Sequence, residues 1–166
     1  NALAPDLYEG RVTQGPDEAN HLMSGLDFPG ATNQDLRGAA LHLKGIGGNV
    51  AVMGFCMGGA LTIATAVHVP EVTLGVCFYG IPPKEFADPA NITMPLQCHF
   101  ANQDDWCTPE AVNELEAGLT AAGANAEIHR YDAAHGFFNE TSEPAYDAAS
   151  ANLAWRRMSD YLAANL

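Results

Sequence analysis

The sequence is poor in basic residues and contains no long apolar run. Only 7 Lys and Arg stand against 20 Asp and Glu, which gives a formal net charge of −13 at pH 7. Because such a surface repels phosphate backbones and anionic lipids, we expect neither nucleic-acid binding nor membrane docking. No run reaches the roughly 18 apolar residues that a membrane-spanning helix needs. The first residues lack the basic and apolar regions of a signal peptide, so none is predicted.

Cysteine is scarce as well. The chain has four, and none of them forms a CxxC pair. Cys77 and Cys98 lie inside apolar, strand-like runs, which is typical of buried free thiols. We therefore predict no disulfide framework and a reducing, cytoplasmic location. His99 follows Cys98 directly, but neighbours in a strand point to opposite faces, so we interpret this pair as structural.

Apolar runs alternate with helical patterns along the chain. The strand-like runs are 49–55, 72–79, 94–100 and a weaker one at 126–131, and residues 2–5 look like the end of another strand. Continuous apolar runs suit strands that are covered on both faces of a parallel sheet. The sequence therefore predicts one α/β domain over residues 1–166, with a doubly wound, mainly parallel sheet of about five strands and helices on both faces.

One short segment carries reactive chemistry. Residues 54–59 read Gly-Phe-Cys-Met-Gly-Gly and stand between a predicted strand and a predicted helix. A nucleophile elbow has this layout, with the nucleophile in a tight turn and glycines two residues to either side. The helix N-terminus would favour the thiolate of Cys56, and the N–H of Met57 would be an oxyanion donor. The alternative is a glycine-rich turn with an incidental buried cysteine.

Two further segments follow predicted strand ends. Asp104 and Asp105 come after the third strand, and His135 comes after the last one. The order nucleophile, acid, histidine is that of α/β-hydrolases, and doubly wound sheets place their sites beyond the carboxyl ends of the strands. Spacing alone does not choose between the two aspartates. Metal binding through His129, Asp132 and His135 is disfavoured, because strand geometry puts His129 on a different face from the loop residue His135 and no third strong ligand is near, so we expect no metal. An α/β-hydrolase needs no cofactor, and we expect none.

Taken together, these segments resemble the dienelactone hydrolase family, the cysteine-nucleophile branch of the α/β-hydrolases. The resemblance runs through most of the chain and rests on residues 4–8 (Ala-Pro-Asp-Leu-Tyr), 54–61, 103–109 and 134–137. The family's acid stands four residues before a proline, so the resemblance selects Asp105. It implies Cys56 as nucleophile, His135 as base and Asp105 as the residue that orients His135. The implied reaction is cleavage of a small carboxylic ester or enol-lactone through a thioester intermediate.

The chain also departs from the family in two respects. Family members carry about three strands before the segment that matches residues 4–8, and one of these supplies the second oxyanion donor. Without that strand we expect a gap in the sheet, direct pairing of residues 2–5 with the elbow strand, or a partner chain in its place, and we predict a homodimer. Family prototypes also hold the substrate carboxylate with two arginines, where this chain has Gly10 and Asn139, with Arg11 one position away.

A more apolar substrate pocket is the consequence of those replaced arginines. We expect it to be lined by aromatic side chains, namely Phe55, Trp106, Phe137 and Phe138. The sequence thus predicts a dienelactone hydrolase-like carboxylic ester hydrolase that acts on small substrates. Two alternatives remain open: a catalytically weak or inactive truncated hydrolase that serves as a ligand- or partner-binding module, and a thiol redox protein built on the same elbow.

Overall fold

A computed structural model describes residues 1–166 and contains a four-stranded sheet. The strands lie in the order β1-β2-β3-β4, and every neighbouring pair is parallel. Their bounds are Ala51–Phe55, Leu74–Phe78, Leu96–Gln103 and Ala126–Ala134. Because all four run in the same direction, their carboxyl ends meet at one edge of the sheet.

Six α-helices and two other helical turns surround the sheet. The helices are α1 Pro16–Ser24, α2 Phe28–Gly30, α3 Arg37–Ile46, α4 Met57–His68, α5 Pro109–Ala121 and α6 Ala148–Asn165. A π-helical turn, Ala31–Leu36, joins α2 to α3, and a 3₁₀ turn covers Pro89–Asn91. None of these helices is long and apolar enough to cross a bilayer.

Polar side chains begin several of the helices. Thr108 accepts a hydrogen bond from the backbone N–H of Ala111 and caps α5, whose first residue is a proline. Asp147 caps α6 in the same way, through the N–H of Ser150 at 2.7 Å. These caps satisfy helix N–H groups that have no partner within the helix.

The core lies on both faces of the sheet. One face carries Ile63 of α4 together with Val112 and Leu115 of α5, packed against Cys98 and Phe100 of β3. The other face carries side chains of α6, namely Ala154, Met158 and Tyr161, packed against β2 and β4. The predicted α/β architecture, a parallel sheet with helices on both faces, is therefore confirmed, although the strands lie in simple chain order without the reversal of a doubly wound sheet.

The prediction of about five strands was too high. Residues 2–5 form no strand, so β1 pairs with β2 on one side and has no strand on the other. These N-terminal residues instead line an apolar groove of about 520 Å³ beside β1, opposite Val52 and Met53. Of the three arrangements expected for this edge, direct pairing with residues 2–5 is absent, and the groove separates the two segments.

Candidate active site

Cys56 occupies a strained turn between β1 and α4. Its backbone angles are φ 54° and ψ −117°, in a region that non-glycine residues rarely adopt. Its N–H donates to the carbonyl of Phe78 at 3.0 Å, and its carbonyl accepts from the N–H of Ala60 at 3.1 Å. Strand pairing and the helix ladder thus hold the turn on both sides, and the conformation matches the predicted elbow.

Close backbone contacts explain the glycines around this turn. A Cβ on Gly54 would collide with the backbone of Gly58, and a Cβ on Gly59 would collide with the carbonyl of Phe78. Gly80, after β2, faces the Cys56 carbonyl with the same lack of space. A Cβ on Gly58 would meet nothing within 4 Å. On the C-terminal side of the turn, the position without room for a side chain is therefore Gly59, one residue beyond the glycine that the elbow pattern indicated.

His135 lies between Cys56 and a carboxylate. Its Nε2 is 3.2 Å from the Cys56 Sγ, and its Nδ1 is 2.7 Å from an oxygen of Asp104. The three residues follow β1, β3 and β4, so the sheet brings them together at its carboxyl edge from distant places in the sequence. The predicted proximity of Cys56 and His135 is present in the structure.

The carboxylate beside His135 belongs to Asp104, whereas the family pattern had selected Asp105. The Asp104 side chain is fully buried. Its Oδ2 accepts from His135, and its Oδ1 accepts from the N–H groups of Trp106 and Cys107 at 2.8 and 2.9 Å. Asp105 is exposed and makes no hydrogen bond to His135. Asp104 directly follows the end of β3. That position was a signal in favour of Asp104, and the family's spacing to Pro109 did not take it into account.

Charge is shared between the thiol and the imidazole. The hydrogen bond to Cys56, reinforced by Asp104, raises the pKa of His135 to about 9 against the opposing effect of burial. The same bond to His135, with a contribution from the Met57 N–H, lowers the pKa of the Cys56 thiol. Both shifts favour a thiolate–imidazolium pair at neutral pH.

Other cysteines differ from Cys56 in this respect. Burial raises the pKa of the Cys77 thiol, and burial together with the Asp104 carboxylate raises that of Cys107 to about 12. All four cysteines are free thiols. Of these thiols, Cys56 combines partial exposure, a lowered pKa and a basic neighbour, which are the properties of a reactive cysteine.

A wide groove opens on one side of the thiol. Its volume is about 980 Å³, and it lies between β1, the loop after β4 and α6. Aromatic side chains and polar residues of the loop after β4 share its walls, and the lining includes Glu140 but no Lys or Arg. The lining aromatic residues are Phe55, Tyr79, Phe138, Tyr146 and Trp155.

A second, smaller cavity touches the same pair from the other side. It measures about 140 Å³ and is bounded by Met23 of α1, Met57 and Ala60 of α4, and Ile81. Trp106 also lines it, with its indole stacked on the His135 ring at a centroid distance of 5.6 Å. Cys56 and His135 therefore border two separate spaces of different size.

The predicted pocket residues have mixed outcomes. Phe55 and Phe138 line the groove, and Trp106 lines the small cavity. Phe137 lines neither, because it is fully buried against Tyr131 in the core beneath α6. The prediction of Phe137 as a pocket residue was therefore wrong. Phe137 and Phe138 are neighbours that face opposite directions, and only Phe138 reaches the groove.

Sequence reasoning missed Tyr79. This residue follows β2 at the same sheet edge, adopts φ 36°, and packs its ring 5.0 Å from His135. Its position directly after a strand was the available signal. Arg11, considered as a replacement for a substrate-binding arginine, is bonded to the carbonyl of Tyr8 and lines neither space.

A parallel sheet with an elbow after one strand, a carboxylate after another and a histidine after the last defines an α/β-hydrolase fold. A sequence profile described as the dienelactone hydrolase family matches residues 1–166. The chain belongs to the dienelactone hydrolase family.

Curated relatives agree with this assignment. The chain is 30% identical over 162 residues to protein usf of Aquifex pyrophilus, which covers 93% of the chain and 70% of that protein. It is 34% identical to a provisionally named carboxymethylenebutenolidase of Escherichia coli K12, over 96% of the chain and 65% of that protein. It is 29% identical to carboxymethylenebutenolidase 1 of Cupriavidus pinatubonensis, over 97% of the chain and 73% of that protein. The chain thus spans about two thirds of the length of these relatives.

Solved structures show the same fold. A crystal structure of a provisionally named dienelactone hydrolase from Klebsiella pneumoniae superposes with a TM-score of 0.83 at 25% identity, covering 96% of this chain and 73% of that one. The structure named m3DLH has a TM-score of 0.80 at 20% identity, and covers 98% of this chain and 74% of that one. The second likeness concerns the fold alone.

Proposed function

We propose that this protein hydrolyses small carboxylic esters or lactones, with Cys56 as nucleophile, His135 as acid and base, and Asp104 as the residue that orients His135. The observation that carries the proposal is the continuous line of contacts from the Cys56 Sγ to His135 at 3.2 Å and from His135 to Asp104 at 2.7 Å. This arrangement is the one that nucleophilic acyl transfer needs.

In the acylation step, the Cys56 thiolate attacks the ester carbonyl carbon. The carbonyl oxygen gains the negative charge, and the N–H of Met57, at the start of α4, lies beside the sulfur where it can stabilise that charge. The C–O bond then breaks, and the imidazolium of His135 gives its Nε2 proton to the departing alcohol. The product of this step is a thioester on Cys56.

In the deacylation step, His135 is neutral and acts as base. It removes a proton from a water molecule, which attacks the thioester carbonyl and releases the carboxylic acid. The Cys56 thiolate leaves, and the proton on His135 restores the ion pair. Asp104 keeps the Nδ1–H of His135 directed toward itself throughout, so that Nε2 always faces the sulfur.

Substrates without a negative charge fit the groove best. A bound carboxylate would find no Lys or Arg among the lining residues and would lie near Glu140. The chain's net charge of −13 opposes an anion further. We therefore propose neutral esters rather than dianionic lactones.

Turnover of p-nitrophenyl acetate tests the proposal. We expect many turnovers by the purified protein and background rates for Cys56→Ala and His135→Ala. Cys98→Ala is the matched control, since it removes a buried thiol outside the site and should retain activity. Absence of acyl transfer to Cys56 would contradict the proposal. A single stoichiometric burst without turnover would favour the alternative of a binding module with a stalled acyl group.

We further propose that the protein acts in the cytoplasm as a homodimer. Four free thiols support a reducing environment, and the unpaired edge of β1 with the half-exposed Met53 offers a surface for a second copy. Light scattering on a sizing column measures the mass directly. A species of 17.6 kDa at all concentrations would contradict the dimer.

A further inference from the structure

Trp106 is an exposed aromatic residue that contacts the candidate site through its ring. Its relative exposure is 66%, so the side chain contributes little to the core. The indole nevertheless lies against one face of the His135 imidazole, with 29° between the ring planes and 5.6 Å between the centroids. Burial of apolar surface is therefore a weak reason for this arrangement.

Asp104 anchors both partners of the stacked pair. One of its carboxylate oxygens accepts a hydrogen bond from His135 at 2.7 Å, and the other accepts one from the backbone N–H of Trp106 at 2.8 Å. The second oxygen also accepts from the N–H of Cys107 at 2.9 Å, so the turn that carries the indole closes on this carboxylate. Because one buried side chain holds both segments, the two rings keep a fixed relation.

Titratable side chains face the imidazole of His135 from several other elements. The Cys56 sulfur, after β1, lies 3.2 Å from Nε2, and the Asp104 carboxylate, after β3, bonds Nδ1. Tyr79, after β2, turns its ring toward the imidazole at 61° and a centroid distance of 5.0 Å. Glu140 is exposed on the wall of the groove that His135 borders. Neither space beside the imidazole is lined by Lys or Arg, so no basic side chain there opposes a proton on the ring.

Resting on the proposed function, in which His135 gives a proton to the leaving alcohol, we infer that Trp106 is a positioning residue whose indole face stabilises the protonated imidazole by cation–π stacking. An aromatic face attracts a cation within about 6 Å of its centroid, and tryptophan does so most strongly. At an exposed site this attraction corresponds to about half a pKa unit. It acts in the same direction as the hydrogen bonds to Cys56 and Asp104, which raise the pKa of His135 to about 9.

The sign of the effect distinguishes this role from simple burial. An indole that only shields the imidazole from water disfavours the charged ring and lowers the pKa of His135. An indole that attracts the cation raises that pKa instead. Leucine is apolar but has no π face, so Trp106→Leu should lower the pKa of His135.

NMR titration of the histidine rings measures this pKa directly. The titration uses the Cys56→Ala background, where no thiol titrates together with the imidazole, and His135→Gln identifies the signal. We expect Trp106→Leu to lower the pKa of His135 by about half a unit. Trp106→Phe should lower it by less, because phenylalanine retains a weaker π face.

Trp155→Leu is the matched control for the titration. It removes an indole of similar exposure, 56%, whose ring partner is Phe138 and not His135, so the pKa of His135 should stay unchanged. An unchanged or higher pKa in Trp106→Leu overturns the inference. Equal shifts in Trp106→Leu and Trp106→Phe, or the same shift in the control, overturn it as well.

Hydrolysis of phenyl acetate separates this inference from the proposed function. Phenol is a poorer leaving group than p-nitrophenol, so its departure depends on the proton of His135. In Trp106→Leu the alkaline limb of the pH profile of kcat/KM should move down by about half a pH unit, which lowers kcat/KM about threefold on that limb and little at pH 7. If the pKa falls as expected but Cys56 is never acylated, the proposed function fails and the stacking is supported. If the wild type hydrolyses the ester and the pKa does not fall, only the inference fails.

Discussion

Two cysteine–histidine pairs in this protein differ in sequence separation, in side-chain contact and in burial. Cys56 and His135 come from two different strand ends, 79 positions apart, and meet at 3.2 Å. Cys98 and His99 are adjacent in β3, yet the thiol packs on the face covered by α5 while the imidazole packs on the face covered by α6. The two residues adjacent in sequence therefore point to opposite faces of the sheet, whereas the two residues far apart in sequence are in contact.

The two imidazoles have opposite surroundings. His99 is fully buried, stacks on Phe78 at 4.4 Å, accepts a hydrogen bond from the hydroxyl of Tyr131 and donates one to Gln97. Burial, with the positive charges of His129 and Arg157 in addition, lowers its pKa to about 3. His135 is partly exposed and has the Asp104 carboxylate on one side and the Cys56 sulfur on the other. The comparison teaches that position in the sheet sets the chemistry of these two rings: His99 lies under the core within β3, whereas His135 lies beyond the end of β4, where a carboxylate, a thiol and solvent all reach it.

The largest expected effect comes from exchanging each histidine for glutamine. His135→Gln should lower kcat/KM for p-nitrophenyl acetate by about 10³-fold or more, because the nucleophile loses its base. His99→Gln should change kcat/KM only a few-fold and should lower the free energy of unfolding instead, by about 1–3 kcal/mol, since its buried partners lose their hydrogen bonds. Equal losses of activity in both variants would erase the distinction.

The carboxylate partner sharpens the comparison further. Asp104→Asn should lower kcat by about 10²-fold, because the amide no longer holds the imidazolium charge or its orientation. Asp105→Asn, one residue away and exposed, should behave like wild type. Steady-state kinetics on both variants measure this. Loss of activity in Asp105→Asn alone would restore the assignment drawn from the family pattern.

Thiol reactivity at low pH is the next test. In the wild type, the hydrogen bond to His135 lowers the pKa of Cys56, so the thiolate fraction at a given pH is larger than that of an ordinary cysteine. In His135→Ala the pKa rises back toward its ordinary value, and the thiolate fraction at pH 6.5 falls about tenfold for each unit of that rise. Iodoacetamide alkylation followed against pH gives both values. Identical profiles would show that His135 does not hold the thiolate.

Acid stability gives the smallest effect. The pKa of His99 in the fold, about 3, lies below its ordinary value of 6.5, so the unfolded chain takes up a proton that the folded chain refuses. Stability is therefore present above pH 6.5 and is lost as the pH falls toward 3. Between pH 6.5 and 5.5 the wild type should lose about 1 kcal/mol more than His99→Gln. Urea unfolding at both values measures it, and parallel losses would place the sensitivity elsewhere.

Local sequence signals predicted the central strands and the elbow better than they predicted the strand at the edge of the sheet. The apolar run of β2 and the glycine-flanked Cys56 were recognisable because burial on both faces and a tight turn each demand particular residue types. Residues 2–5 carried a similar apolar signal. A segment forms a strand only where a neighbouring strand supplies hydrogen bonds, and residues 2–5 are separated from β1 by the apolar groove of about 520 Å³. The fold class was accessible from the sequence, and the number of strands was not.

What the sequence alone determined is the chemistry available at this edge of the sheet: a cysteine in a glycine-bounded elbow, two aspartates after β3 and a histidine after β4. The tertiary structure decided which aspartate is used. It buries Asp104 beneath His135 and leaves Asp105 in solvent. Between Ala101 and Gln103 the register with β4 shifts, so that Gln103 pairs with Ala134, the residue before His135. Which of the two adjacent aspartates contacts His135 depends on the direction in which each side chain points, and that direction is fixed only when β3 and β4 are paired.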